Sequence, residues 1–178
     1  ALRRQDVLVP RYFFGKVAVN GKNIGFMAFE ESFSKELLES QERRESVIIK
    51  FENEDITGNF KKAKIAPFRS KKVSKSEKLS ADLILARGLL RAFVIGALPA
   101  SKVFDPVLMG RFIAVADVWR AWHSLEWRNM RFYYNPITAL LEPIGYDASI
   151  PAKRFDVLPP DSRPVIWKIL HGDPKIRG

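Results

Sequence analysis

Three polar residues near the middle of the chain have the types and the order that phosphoryl transfer requires. His123 and Asn129 are close in sequence, and Asp147 follows after a short aromatic stretch. Divalent cations such as Mg²⁺ prefer amide and carboxylate oxygens, and Asn129 and Asp147 supply one of each. His123 offers a general base, because the unperturbed imidazole pKa of about 6.5 lies near working pH. The segment therefore predicts a metal and phosphate site.

The intervening sequence predicts a two-stranded ribbon that brings Asn129 and Asp147 together. Residues 131–134 and 140–144 have the composition of paired strands, and an Asn-Pro turn lies between them. Because the two outer ends of such a ribbon lie at one edge, a residue before the first strand meets a residue after the second. The alternative is structural, with Asn129 capping a turn and Asp147 capping a loop.

Three basic residues are candidates for binding phosphate. Lys50 is embedded in the apolar segment 46–51, which has the composition of a strand. A strand lysine that points into a cleft can pair with phosphate, whereas an edge-strand lysine faces solvent. Arg128 and Arg131 flank Asn129, and side-chain alternation along a strand suggests that only one of them enters a cleft. We assign Arg128 as the cofactor-binding arginine.

A helix is expected to lead into this segment. It begins at Asp105, an N-cap residue followed by proline, and its apolar residues recur at helical spacing as far as Trp122. This pattern predicts that His123 lies at the helix C-terminus, where it either takes part in catalysis or packs and donates to a carbonyl. Trp119, Trp122 and Trp127 are interpreted as core residues rather than as stacking platforms for bases.

The first part of the chain favours β-structure. Tyr12–Val19 and Ile24–Phe29 flank Asn20-Gly21, the dipeptide best suited to a type I′ turn, so a hairpin is predicted. A short amphipathic helix with a serine N-cap is expected within Phe33–Glu42. Residues 60–68 are expected to contain a further short strand.

Composition limits the classes of function. The 178 residues carry a formal net charge of +10, which favours anionic partners, although the basic run at 61–78 also suits a solvated linker. No signature of a nucleic-acid-binding fold is visible, so nucleic acid is an unlikely partner. The chain has no cysteine, which excludes disulfides, thiol catalysis and Cys-based zinc sites. No apolar run approaches the roughly 18 residues of a membrane span.

The central segment resembles the signature of the CotH family, atypical protein kinases first described as spore-coat proteins. His123-Ser-Leu-Glu-Trp-Arg-Asn129 is similar to the pattern His-Gly-Leu-x-Trp-Arg-Asn of a bacterial subgroup, and Pro143-Ile-Gly-Tyr-Asp147 is similar to its Pro-Ile-Gly-Tyr/Phe-Asp turn. The resemblance extends over residues 12–147.

The resemblance implies a minimal two-lobed, kinase-like α+β fold without a glycine-rich loop. Residues 1–68 would form a β-rich N-lobe, 69–79 a basic linker, and 80–178 a helical C-lobe carrying the ribbon at 130–147. The chain begins within an apparent helix and ends in an interrupted one, so we expect both ends to be truncated. The oligomeric state cannot be predicted from these features.

The resemblance also implies an activity, which is transfer of the γ-phosphate of ATP to a secreted or coat protein with Mg²⁺ or Mn²⁺. Asp147 would bind the metal and take part in catalysis, Asn129 would be the second metal ligand, and Lys50 would contact the phosphates. His123-Ser124 stands where the family has a catalytic aspartate. Either His123 accepts the substrate proton, or the protein is a non-catalytic coat or envelope binding module. Family members are usually exported or associated with the cell envelope.

Overall fold

The computed structural model describes residues 1–52, 60–148 and 163–177, which form an α+β structure. The strands are β1 (Tyr12–Val19), β2 (Lys22–Glu30), β3 (Ile48–Glu52), β4 (Lys64–Pro67), β5 (Arg131–Asn135) and β6 (Leu140–Ile144). The α-helices are α1 (Lys35–Glu39), α2 (Ser70–Val73), α3 (Glu77–Val94), α4 (Pro106–Trp119), α5 (Val165–His171) and α6 (Pro174–Arg177). Short 3-10 helices cover Leu2–Gln5, Phe60–Lys62, Ala100–Lys102 and Trp122–Leu125.

The central feature is an antiparallel sheet with the strand order β4-β3-β5-β6. Its inner strands join segments that are far apart in sequence, since Ile49 pairs with Phe132 and Lys50 with Arg131. Ile49 and Phe132 are fully buried in the main core, which the sheet shares with α3 and α4. The segments before and after residues 69–79 therefore contribute strands to one sheet, and the division into two lobes stays a prediction.

The opposite face of this sheet has a smaller apolar cluster. Its buried members are Leu8, Leu37, Leu38, Ile48, Tyr133 and Ile144, and Phe33 and Phe68 pack against it. Leu37 and Leu38 come from α1, which covers this face although it has only five residues. Because α1 leaves part of the face uncovered, side chains beyond the cluster stay accessible there.

The hairpin prediction is confirmed. β1 and β2 pair antiparallel, with Tyr12 opposite Glu30 and Val19 opposite Lys22, and the register shifts between Val17 and Ala18. Asn20 and Gly21 at the turn have φ angles of 51° and 78°, as a type I′ turn requires. The helix expected within Phe33–Glu42 forms over the shorter range of α1. Residues 69–79, expected to be a linker, contain α2 and the start of α3.

Helix α4 starts where the sequence predicts. The carboxylate of Asp105 accepts a hydrogen bond from the Leu108 N–H at 2.9 Å, and Pro106 occupies the first turn. The helix ends at Trp119, however, because Arg120 adopts a left-handed conformation with φ 52°. The prediction that α4 extends to His123 was therefore wrong, and His123 lies on the following 3-10 helix.

The tryptophans differ in burial. Trp122 and Trp127 are partly buried against the main core, whereas Trp119 is 45% exposed, so its interpretation as a core residue was wrong. The Trp122 indole N–H donates to Asp117 at 2.7 Å, and that of Trp167 donates to the same carboxylate at 3.1 Å. This shared acceptor fastens α5 to α4. No helix within residues 1–52, 60–148 and 163–177 is long and apolar enough to cross a membrane.

Candidate functional site

His123 and Asp147 are in direct contact beside the ribbon of β5 and β6. The distance from His123 Nε2 to Asp147 Oδ2 is 3.0 Å. The side-chain amide of Asn129 donates to the backbone carbonyl of His123 at 2.9 Å. The His123 and Asp147 side chains are 50% and 40% exposed, so a dissolved substrate can reach both. His123 thus contacts Asp147 through its side chain and Asn129 through its backbone carbonyl.

Local backbone structure explains their positions. The N–H of Asn129 donates to the Glu126 carbonyl at 2.7 Å, and its side chain reaches back to His123, so Asn129 closes the turn into β5. Asp147 follows β6 in a left-handed conformation with φ 50°. A side chain at Gly145 would collide with Leu2 and Val9, so the absence of a Cβ lets the N-terminal segment pack against this strand end.

Two cations lie side by side on the face that carries the smaller apolar cluster. Lys50 and Arg131 are direct partners on the central strands β3 and β5. Lys50 Nζ lies 5.3 Å from the ring centre of Phe68, and the Arg131 guanidinium lies 5.7 Å from the same ring and 4.8 Å from that of Tyr146. The alternative in which Lys50 lies on an edge strand is therefore wrong. Like charges directly opposite one another destabilise a sheet, which makes this pair unusual.

The environment of Arg131 is poorly suited to a free cation. Burial lowers the pKa of Arg131, and the nearby Tyr146, Asp147 and Glu30 only partly offset this effect. Its Nη1 donates to the carbonyls of Arg128 and Met130 at 2.7 and 3.1 Å. Its Nε is buried without a hydrogen-bond partner in the part of the chain that the structure describes. An anion beside Lys50 and Arg131 would relieve the repulsion between the two cations.

Arg128 is placed differently. Its side chain lies over the Trp127 ring at 5.8 Å and within 3.9 Å of the Glu126 carboxylate. Arg131, not Arg128, is therefore the arginine beside Lys50. The sequence favours Arg128, whose role as a phosphate ligand stays a prediction. Which arginine lies beside Lys50 depends on the pairing of β3 with β5, and the sequence pattern does not indicate this pairing.

The base of the hairpin completes the surroundings of the site. The Tyr12 hydroxyl donates to Glu30 at 2.5 Å, and burial together with this carboxylate raises the Tyr12 pKa. A cavity of about 620 Å³ opens next to Asp147. Its walls include Val9, Pro10, Tyr12, Val115, Trp119 and Tyr146. Tyr12 and Trp119 had been assigned to a strand and to the core, and neither was predicted to line the site.

Asp147 and Asn129 offer too few ligands to hold a metal ion alone, so a cation bound here would take most of its ligands from other molecules. Within residues 1–52, 60–148 and 163–177, no three His, Asp or Glu side chains group closely enough to hold a metal by themselves. Asp147 has a carboxylate and Asn129 an amide oxygen, both of which Mg²⁺ accepts as ligands. Because Mg²⁺ is commonly bound by one or two carboxylates plus substrate phosphates, a metal held partly by a nucleotide stays a prediction for these two residues.

No protein-family model matches the chain, and no curated protein matches it.

Proposed function

We propose that the chain is a phosphotransferase of the CotH type, which transfers the γ-phosphate of ATP to a protein with the help of Mg²⁺ or Mn²⁺. The observation that carries the proposal is the position of Lys50 and Arg131 on one face of the sheet, close to the strand end where Asp147 meets His123. Phosphoryl transfer depends mainly on positioning and on stabilising negative charge, and this arrangement supplies cations and oxygen ligands.

Lys50 and Arg131 would bind the phosphates. Arg131 would contribute mainly its positive charge, because its Nη1 already donates to the carbonyls of Arg128 and Met130. Asp147 and Asn129 would hold the divalent cation, which when bound supplies charge neutralisation on the phosphate oxygens. Asp147 has two oxygens, so one can face the cation while the other contacts His123.

His123 would act as the general base. With its Nε2–H donating to Asp147, the imidazole can accept a proton at Nδ1. The acceptor hydroxyl oxygen forms a bond to the γ-phosphorus, the bond to the leaving oxygen of ADP breaks, and the hydroxyl proton moves to Nδ1. Asp147 thus orients the imidazole and stabilises the imidazolium that forms when His123 takes up the proton. Carboxylates have this role beside catalytic histidines.

Thermal shift with ATP and MgCl₂ tests this assignment. ATP at about 100 times its dissociation constant should stabilise the wild-type protein by roughly 2.7 kcal/mol, and the shift should require the metal. Asp147→Asn should lose the metal-dependent part, while Lys50→Met and Arg131→Met should lose most of the shift. Lys102→Met, at an exposed lysine of the 3-10 helix Ala100–Lys102, is the matched control and should retain it. An unchanged shift in Asp147→Asn would contradict the proposed site.

The non-catalytic coat or envelope module is the second candidate, and the exposed hairpin of β1 and β2 is the observation that favours it. A folded wild-type protein that shows no shift with ATP and either metal would support this module. Transfer of labelled γ-phosphate to any protein, lost in His123→Ala, would exclude it. In both cases the expected partner is an exported or envelope protein, as the resemblance implies.

A further inference from the structure

The hairpin of β1 and β2 presents an unusually apolar surface. Its two strands form a sheet of their own that no other strand of the described residues joins. Phe14 and Phe26 are 75% and 73% exposed. A two-stranded hairpin is only marginally stable in water, and exposed aromatic rings commonly mark a binding surface.

The strand register divides the hairpin into two faces. The Tyr12 face consists of Tyr12, Phe14, Lys16, Phe26, Ala28 and Glu30, and the Phe13 face consists of Phe13, Gly15, Val17, Met27 and Phe29. On the Phe13 face, the rings of Phe13 and Phe29 stack on each other at 4.7 Å. On the Tyr12 face, Phe14 lies opposite Ala28, and the rings of Phe14 and Phe26 are more exposed than those of Phe13 and Phe29. The aromatic rings of the Tyr12 face are therefore less covered by the hairpin than those of the Phe13 face.

The Tyr12 face is continuous with the candidate site. Tyr12 lines the cavity beside Asp147 and Tyr146, and Glu30 lines a second cavity that also includes Tyr146. Phe14 and Phe26 lie one and two rungs farther along the same face. A polypeptide whose hydroxyl reaches His123 would extend naturally along these rings.

We propose that the Tyr12 face binds an extended segment of a partner protein that carries apolar and acidic side chains. The apolar side chains would cover Phe14 and Phe26, and an acidic one would pair with Lys16, whose ammonium lies 5.6 Å from the Phe26 ring centre. The segment would belong to the protein acceptor of the proposed phosphotransferase, and only this identification rests on the proposed function. Binding of the segment itself needs neither ATP nor metal.

Charge complementarity supports an acidic segment. The carboxylates at the hairpin base are already engaged, Glu30 with the Tyr12 hydroxyl and Glu31 with Arg11. Lys16 and Lys22 thus dominate the charge along the rest of the hairpin, and the whole chain has a net charge of +10. An acidic partner gains from both the local and the overall field.

The hairpin tip argues against insertion into a membrane. Asn20, Gly21, Lys22 and Asn23 form the tip, and they would enter the bilayer first. Membrane-inserting segments place aromatic and aliphatic residues at the greatest depth and basic residues at the margin. This hairpin has the reverse order, because the polar residues and Lys22 form the tip and the aromatic rings lie toward the candidate site.

Fluorescence anisotropy tests the proposal with a labelled peptide of alternating Glu and Phe around a central Ser, without nucleotide. The wild-type protein should bind it, and the lysine analogue of the peptide should bind more weakly. Phe14→Ser with Phe26→Ser should weaken binding at least about tenfold, as loss of buried aromatic contacts does. Lys16→Glu should also weaken it while leaving the rings in place.

The control removes two exposed apolar side chains from the other face. Phe13→Ser with Met27→Ser should bind the peptide like the wild type, whereas an equal loss in both double variants would overturn the proposal. The proposal would also be overturned if the acidic peptide did not bind. Tighter binding of oligo-dT or of anionic vesicles would overturn it too, as would self-association of the wild type through Phe14 and Phe26. Because peptide binding is measured without nucleotide or metal, failure here is distinguishable from failure of the proposed activity.

Discussion

At the scale of single residues, Glu142 shows how a charge is held inside the sheet. It is 3% exposed, and it accepts hydrogen bonds from Arg43 Nε at 2.7 Å and from the Asn135 amide at 2.6 Å. Burial disfavours the charged Arg43, but its bonds to Glu142 and Asp6 outweigh burial and raise its pKa. The pair connects the loop after α1 to β6, which positions the strand that leads to Asp147.

We expect Glu142→Ala to lower the free energy of unfolding by about 3 kcal/mol, because it leaves Arg43 largely buried without its main partner. Urea denaturation measures this loss. The matched control is Glu39→Ala, which removes an exposed ion pair between Lys35 and Glu39 and should cost less than about 0.5 kcal/mol. Similar losses in the two variants would show that the Glu142 contacts contribute little.

Residue types were easier to predict from the sequence than residue neighbours. His123, Asn129 and Asp147 are close together because they flank one local ribbon, whose short-range pattern is visible in the sequence. The contact between Lys50 and Arg131 depends on two strands about eighty residues apart, and no local pattern encodes such pairing. The aromatic contacts of Arg131 were missed for the same reason.

At the scale of elements, turn and cap chemistry was informative where it was local. Asn20-Gly21 determined the hairpin, and Asp105 followed by proline determined the start of α4. The end of α4 was not predicted, because Arg120 adopts the left-handed conformation that glycine usually supplies there. This ending places His123 on a separate 3-10 helix.

The cap of α4 gives a direct prediction. Asp105→Ala should reduce the free energy of unfolding by about 1 kcal/mol, because the Leu108 N–H loses its acceptor. Asp105→Asn should be close to the wild type, since asparagine caps helices about as well as aspartate. Thermal or urea unfolding of the two variants measures the difference, and an equally large loss in Asp105→Asn would indicate that the charge, not the hydrogen bond, matters.

Two helical glycines should respond in opposite directions to the same substitution. A Cβ at Gly110 in α4 would lie 2.6 Å from the backbone oxygen of Ile176 in α6, whereas a Cβ at Gly88 in α3 would have no neighbour within 4 Å. Gly88→Ala should therefore stabilise the protein by about 0.5–1 kcal/mol, as helix propensity alone requires.

Gly110→Ala should instead destabilise by about 1–3 kcal/mol, because a backbone atom cannot move aside as a flexible side chain can. Urea denaturation of both variants in the same buffer gives the comparison. A gain of stability in Gly110→Ala would mean that α6 does not pack against α4 in solution.

At the scale of the whole molecule, the shared sheet was the feature that the sequence did not reveal. The change from β-rich to helix-rich composition suggested a boundary at 69–79, yet β3 from one side pairs with β5 from the other. The main core likewise includes Val7 near the start and Ile176 near the end. Composition along the chain records the order of elements, but it does not record which of them pack together.

The shared sheet and core predict that residues 1–52, 60–148 and 163–177 unfold in one cooperative transition. The tryptophans lie in the second part of the chain, and Trp127 packs edge-on against Phe51 of β3 at 5.8 Å between ring centres. Tryptophan fluorescence and far-UV circular dichroism should therefore follow the same urea curve, because loss of β3 disrupts the sheet and the core together. Separate transitions would show two independently stable lobes. Phe51→Ala should move both curves to lower urea by the same amount, since it removes a buried ring that both segments contact.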